Sequence, residues 1–196
     1  MKKFILILAF ISTLPLSEAA AQFQSEEEPF RIAVLACIRQ YNPAPALQSY
    51  VDLQPEISLW IGDNMYADTE DDPQVIIDSY AQLASLPGFD ELKGLSDFIV
   101  TWDDHDFGDN NEGGSYILKE ESMQIFREFW GMEELIPADQ PGIYHSRFVD
   151  AEGFRIQFIM LDPRYNRDDP RPDGKGDTLG EEQWAWLEGE LKKEAD

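Results

Sequence analysis

The sequence predicts an α/β layered fold. Two observations predict it: three short, nearly unbroken apolar runs of strand length, "RIAVLAC" (31–37), "EISLWIGD" (56–63) and "SDFIVTW" (96–102), and the helically spaced segments that separate them. Continuous apolar runs are the pattern of strands buried on both faces, and strands alternating with helices favour parallel pairing. The 196 residues suit one ordinary domain with a real core.

Each element has a local reason. "NPAPALQSYVDLQP" (42–55) carries helical spacing between prolines, and the strand after it is bounded by Pro55 and Gly62. "DPQVIIDSYAQLASLPG" (72–88) reads as a helix with Asp72 as N-cap, Pro73 at the first helical position and Pro87-Gly88 as its stop. "YILKEESMQIFREFWG" (116–131) is an amphipathic helix closed by Gly131. "GIYHSRFVDAEGFRIQFIMLD" (142–162) reads as two strands joined by a tight "DAEG" turn, with His145 on the first. A loop rich in Pro, Gly and Asp (163–178) then leads to a final helix, "LGEEQWAWLEGELKK" (179–193).

Residues 1–21 have the three parts of a signal peptide: a basic "MKKF", an apolar run over 4–16, and small residues predicting cleavage after Ala21. The run is too short to span a bilayer comfortably, and no second long apolar stretch follows. The reading is therefore an exported protein, periplasmic or extracellular, without a membrane span. Residues 22–30 form a polar leader and 31–196 the domain.

A formal charge of −24, from 39 acidic and 15 basic residues, argues against nucleic acid or an anionic membrane as partner. Most of these carboxylates are expected to be solvated surface. Cys37 is the one cysteine, which excludes an internal disulfide. Pairing with another molecule, burial as a small apolar residue, or metal binding remain open for it.

Chemistry gathers at the ends of the three apolar runs: the first ends at Cys37, the second runs into "GDNMY" (62–66), the third into "WDDHD" (102–106). Ligands of open α/β sheets bind beyond the carboxyl ends of strands, so parallel neighbours would bring Cys37, Asp63, Tyr66, Asp104 and His105 to one edge. Carboxylates gathered so closely need protons or cations, and imidazole, phenol and thiol nearby favour metal ions. Taken singly, each residue has a plainer reading. Asp63 suits a turn; Asp103, Asp104 and Asp106 suit a helix cap; "DTEDDP" (68–73) suits the acidic first turn of a helix.

In order and spacing, "IAVLAC…LWIGDNMYADT…FIVTWDDHDFGDNN…FIMLDPRYNRD…LGEEQWAWLE" resembles the PhoD-like (alkaline phosphatase D) metallophosphatases from about residue 31 to the end. "GDNxY" alone also resembles purple acid phosphatases; the cysteine on the first strand and "WDDH" favour the PhoD-like reading. The resemblance implies a metallo-dependent phosphatase-like sandwich of two sheets between helices, and an exported enzyme that hydrolyses phosphate mono- or diesters through a metal-activated hydroxide. It also implies an iron(III) held by Tyr66 and Cys37, Asp63 bridging metals, and Asp104 on a neighbouring metal that can be calcium, with Asn110 or Asn111 near the calcium positions. His105 would stand beside the scissile phosphate as acid or charge stabiliser. Arg164 and Arg167, on the loop after the last strand, suit a phosphate clamp, or plain pairing with Asp162 and Asp168.

The motifs depart from the family at "LAC" for "GSC" and "LDPR" for "LDTR". In the family a Gly-Asp-Val-His-like element follows, adding metal ligands and part of the second sheet. Residues 31–196 thus correspond to its N-terminal portion, which predicts an incomplete sandwich that a C-terminal segment or partner chain would complete. The competing reading is a catalytically inactive or fragmentary secreted acidic protein that binds calcium.

Overall fold

Three strands, β1 (Ile32–Leu35), β2 (Ile57–Ile61) and β3 (Asp97–Thr101), pair in parallel in that order in the computed structural model, which describes residues 29–151 and 153–193. The expected signal peptide and residues 22–28 of the leader lie outside the described residues. Register aligns Val34 with Leu59 and Leu59 with Ile99, so Ile32, Val34, Ile57, Leu59 and Ile99 share one face and Ala33, Leu35, Trp60 and Val100 the other.

The second face carries the main core. Against it pack α1 (Pro45–Leu53), α2 (Pro73–Ala84), α3 (Phe89–Leu95) and α5 (Lys119–Trp130), α4 being the single turn Asp104–Phe107. Trp60 is wholly buried and meets Phe89 and Trp130 at ring separations of 5.7 and 5.3 Å. Each fully buried large apolar side chain contributes about 2–3 kcal/mol, which makes this aromatic cluster the anchor of the helical layer. Helix α2 begins as its sequence dictates, with the Asp72 carboxylate accepting from the Gln74 N–H at 3.0 Å and Pro73 in the first turn. Gly131, at φ 68°, closes α5. Helix α3 goes unread in the sequence because Pro87-Gly88 reads as a stop; Gly88, at φ +89°, instead starts a short helix that buries Phe89 and Leu92.

The opposite face is covered by an antiparallel hairpin, β4 (His145–Ala151) and β5 (Phe154–Met160), through a small cluster of Ile57, Ile99, Phe158 and Met160. The hairpin lies over β2 and β3. It leaves Ile32 and Val34 of β1 39% and 48% exposed, so β1 is an edge strand buried on one face, not the doubly buried strand its apolar run predicts. Mixed α/β layers with a parallel sheet and a partial second sheet match the predicted class. The last helix, α6 (Glu181–Glu190), closes the described chain; no helix among the described residues is long and apolar enough to cross a membrane.

Candidate metal centre

All three parallel strands run out toward one edge, and the loops leaving β1 and β2 are bonded to each other there. The Cys37 N–H donates to Gly62 O at 3.3 Å and the Ile38 N–H to Asp63 O at 2.9 Å. Gln40, almost fully buried, clamps the same loops twice: its amide N–H donates to Tyr66 O at 2.8 Å and its amide oxygen accepts from the Tyr66 N–H at 2.9 Å. Gly62 explains the first letter of the "GDN" motif. At φ +107° any side chain is strained, and a Cβ there would sit 2.7 Å from Asp103 Cβ and 2.9 Å from Asp103 N.

The crowded aspartates of "WDDHD" divide their work. Asp106 is fully buried and structural: its carboxylate accepts from Asp103 N at 2.6 Å, Asn64 N at 3.1 Å and Asn64 Nδ2 at 2.6 Å, binding the start of α4 to the loop after β2. Burial pushes its pKa well above the ordinary carboxylate value despite these donors. Asp103 holds Arg164, whose Nε and Nη2 both reach Asp103 Oδ1. Asp104 turns toward Asp63. Its Oδ2 accepts from the Asn111 N–H at 2.8 Å and its Oδ1 lies 3.6 Å from Arg164 Nη2. Burial would raise its pKa, but the Asn111 N–H, Arg164 and His105 outweigh that and hold it below the ordinary value.

Asp63, Asp104 and His105 each offer a donor atom within 4.8 Å of the others. Asp63 is the least satisfied of them. Its Oδ1 is buried with no hydrogen-bond partner, while Oδ2 accepts from Tyr66 OH at 3.3 Å and Cys37 Sγ at 3.6 Å. Burial, then the Asp104 charge, raise its pKa. The Tyr66 phenol is also shifted upward, by burial first and then by the Asp63 charge, so a phenolate there needs a compensating cation. Carboxylates, imidazole, phenol and thiol with one orphaned buried oxygen are a donor set that fits a metal ion. The exposed Cys37 is no core residue.

Backbone strain is concentrated here. Among the described residues five non-glycines have positive φ, and four of them, Cys37 (56°), Asp63 (50°), Asp68 (49°) and Asn111 (66°), line or support this group. Such conformations cost about 1–2 kcal/mol each and persist where surrounding structure fixes them.

The sequence-predicted residues are not all brought in. Cys37, Asp63, Tyr66, Asp104 and His105 meet. Asn110 is exposed, with its N–H on Asp109 Oδ1 at 2.8 Å; it is the backbone of its neighbour Asn111 that reaches Asp104. Arg164 is engaged by Asp103, Asp104 and Glu112 O. Arg167 packs its backbone on Gly113 and Gly114, and no hydrogen bond or ion pair joins its guanidinium to the centre among the described residues.

Two participants escaped the sequence. Asp68 binds His105 Nδ1 directly, although "DTEDDP" reads as a helix turn; Asp72, at the other end of that segment, is the actual cap. Arg39 lies over the Tyr66 ring, its Cζ 5.4 Å from the centroid, and that ring packs at a tilt against His105 with centroids 4.2 Å apart. Its only sequence signal is that it stands two residues after Cys37. A cavity of about 520 Å³ lined by Trp130, Met132, His145 and Arg147 shares no residue with this centre.

No protein-family model matches the chain, and no curated protein matches it in sequence. Among solved structures, the structure of PhoD matches with a TM-score of 0.68 and 19% identity, over 83% of this chain and 39% of that one. The chain therefore has a PhoD-like fold and spans about two fifths of the length of that PhoD chain.

Proposed function

We propose that this chain is the metal-binding portion of an exported phosphoesterase that hydrolyses phosphate mono- or diesters. The observation that carries the reading is Asp63: a half-buried carboxylate with one buried oxygen unpartnered and the other meeting a phenol and a thiol, within 4.8 Å of donor atoms on Asp104 and His105, on a PhoD-like fold. Tyr66 and Cys37 suit iron(III), which favours their deprotonation, while Asp63 would be shared with a second ion on Asp104 for which calcium is suited. When bound, such ions lower the pKa of a water to make a nucleophile and offset charge on the phosphoryl oxygens.

The chain's own residues supply the rest. Asp68 on His105 Nδ1 fixes that nitrogen as the proton donor to the carboxylate and leaves Nε2 to face substrate, where it steadies negative charge or protonates the leaving oxygen. Asp103 and Asn111, through Arg164 and a backbone N–H, hold Asp104 ionised and aimed. Purified protein supplied with iron and calcium should show a tyrosinate-to-iron colour and hydrolyse an aryl phosphate ester. Asp63→Asn should remove both. A colourless, iron-free protein with full activity would overturn the roles of Tyr66 and Cys37.

The competing reading is an acidic calcium-binding protein without catalysis, which the 39 acidic residues and the oxygen donors of Asp63 and Asp104 support. It predicts that calcium raises the melting temperature while no ester is cleaved.

A further inference from the structure

We propose that Arg39 is the residue that recognises the phosphoryl group at this centre, an assignment that rests on the phosphoesterase reading above. Arg39 stands on the loop after β1, exposed, with its guanidinium carbon 5.4 Å from the centroid of the Tyr66 ring. The same ring packs at a tilt against His105, ring centroids 4.2 Å apart, and places its hydroxyl 3.3 Å from Asp63 Oδ2, so the cation overlooks the donor group. The loop that carries it is fixed on both sides, by Ile38 N–H on Asp63 O at 2.9 Å and by the paired Gln40–Tyr66 bonds. Contact with the aromatic face, together with a hydrogen bond to the Tyr66 hydroxyl, holds the guanidinium at the ring and engages only part of its five N–H donors.

The other arginines show why this one stands out. In a chain with 39 acidic residues, Arg147, Arg155, Arg164 and Arg171 are all paired with aspartates, whereas no carboxylate pairs with Arg39 or Arg167 among the described residues, and of these two it is Arg39 that lies against a residue of the centre. Arg164, the nearer candidate by sequence, is consumed: Nε and Nη2 on Asp103, Nη2 also 3.6 Å from Asp104, Nη1 on Glu112 O at 3.3 Å. A phosphoester approaching so acidic a surface is repelled unless a cation with free donors meets it, and a guanidinium fork matches two phosphoryl oxygens. Arg39 spends one N–H on the Tyr66 hydroxyl and has no carboxylate partner among the described residues, which leaves the rest of its fork for a phosphoryl group.

The test titrates inorganic phosphate into the iron- and calcium-loaded protein by calorimetry, alongside steady-state hydrolysis of an aryl phosphate. Arg39→Ala should weaken phosphate binding roughly 10- to 100-fold and raise KM more than it lowers kcat, with metal content unchanged. Arg39→Lys should recover part of the loss, since it restores the charge without the fork. Arg155→Ala, which removes the same charge from the hairpin, should leave phosphate affinity unchanged. If wild type binds phosphate and Arg39→Ala binds it equally well, or if Arg155→Ala weakens it as much, the assignment fails and the phosphoesterase reading stands. If wild type neither binds phosphate nor cleaves the ester, that reading fails and takes the assignment with it.

Discussion

Two carboxylates set this molecule's two kinds of region side by side. Asp162, where β5 ends, is wholly buried, and its side chain accepts from Trp102 Nε1 at 2.7 Å and from the N–H groups of Ile143, Arg164 and Tyr165 at 2.9 to 3.0 Å. Asp63, at the tip of β2, has one oxygen with nothing and the other with a weak phenol and thiol pair. Both pKa values are pushed up by burial, so titration alone does not distinguish them. The donor count does. A carboxylate saturated by backbone and indole N–H groups holds structure together; one left short of donors beside another carboxylate is shaped for something absent from the chain.

The largest expected effect lies on the saturated side. Asp162→Ala strands four donors in the interior and should cost about 3–5 kcal/mol in urea unfolding; a loss under about 1 kcal/mol would erase the distinction. Next comes Gly62→Ala, whose Cβ would press on Asp103, the residue that links Arg164 of the Asp162 region to the metal group. Left-handed strain plus a clash with backbone should cost roughly 2–4 kcal/mol in the same measurement and lower metal affinity as well.

A smaller effect follows pH. His145 sits beside the Asp162 network, its ring Nδ1 on Ile143 O at 3.0 Å, and burial lowers its pKa from the ordinary 6.5. The unfolded chain therefore takes up a proton near pH 6.5 that the folded chain refuses, and stability falls as pH drops below that value toward the depressed pKa. The His145 share is at most about 1.4 kcal/mol between pH 6.5 and 5.5, and His145→Gln should remove it from the pH profile of unfolding. The smallest stability change is expected at Asp63. Asp63→Asn relieves a half-buried charge that Asp104 repels, so the metal-free protein should keep its stability or gain under about 1 kcal/mol, although the variant should no longer bind metal. A large loss would mean Asp63 is structural after all.

Much of this was legible in the residues. Strand length and composition located the five strands found among the described residues, and the expectation of a PhoD-like fold from "GDNMY" and "WDDHD" is borne out by the structural match. Pattern could not read the burial of β1, because an apolar run looks the same at a sheet's edge and at its centre; only the strand order separates them. Nor could it divide the aspartates. Asp103, Asp104 and Asp106 are equivalent as letters, and their separate duties come from which way a four-residue helix and its N-cap turn each carboxylate, one to Arg164, one to Asn111 and one to Asn64. Asp68 and Arg39 were hidden for a similar reason, since their partners are 37 and 27 positions away along the chain.

The exposed face of β1 bears on how the protein behaves in a tube. Beside Ile32 and Val34 runs a strand edge with no neighbouring strand among the described residues, where the Tyr50 hydroxyl meets Val34 O at 3.0 Å. Such an edge is sticky toward its own kind, and a formal charge of −24 is what keeps copies apart. Dilute buffer should therefore hold the chain in solution, whereas added salt, by shortening the reach of that mutual repulsion, should drive it toward clumping well before it unfolds.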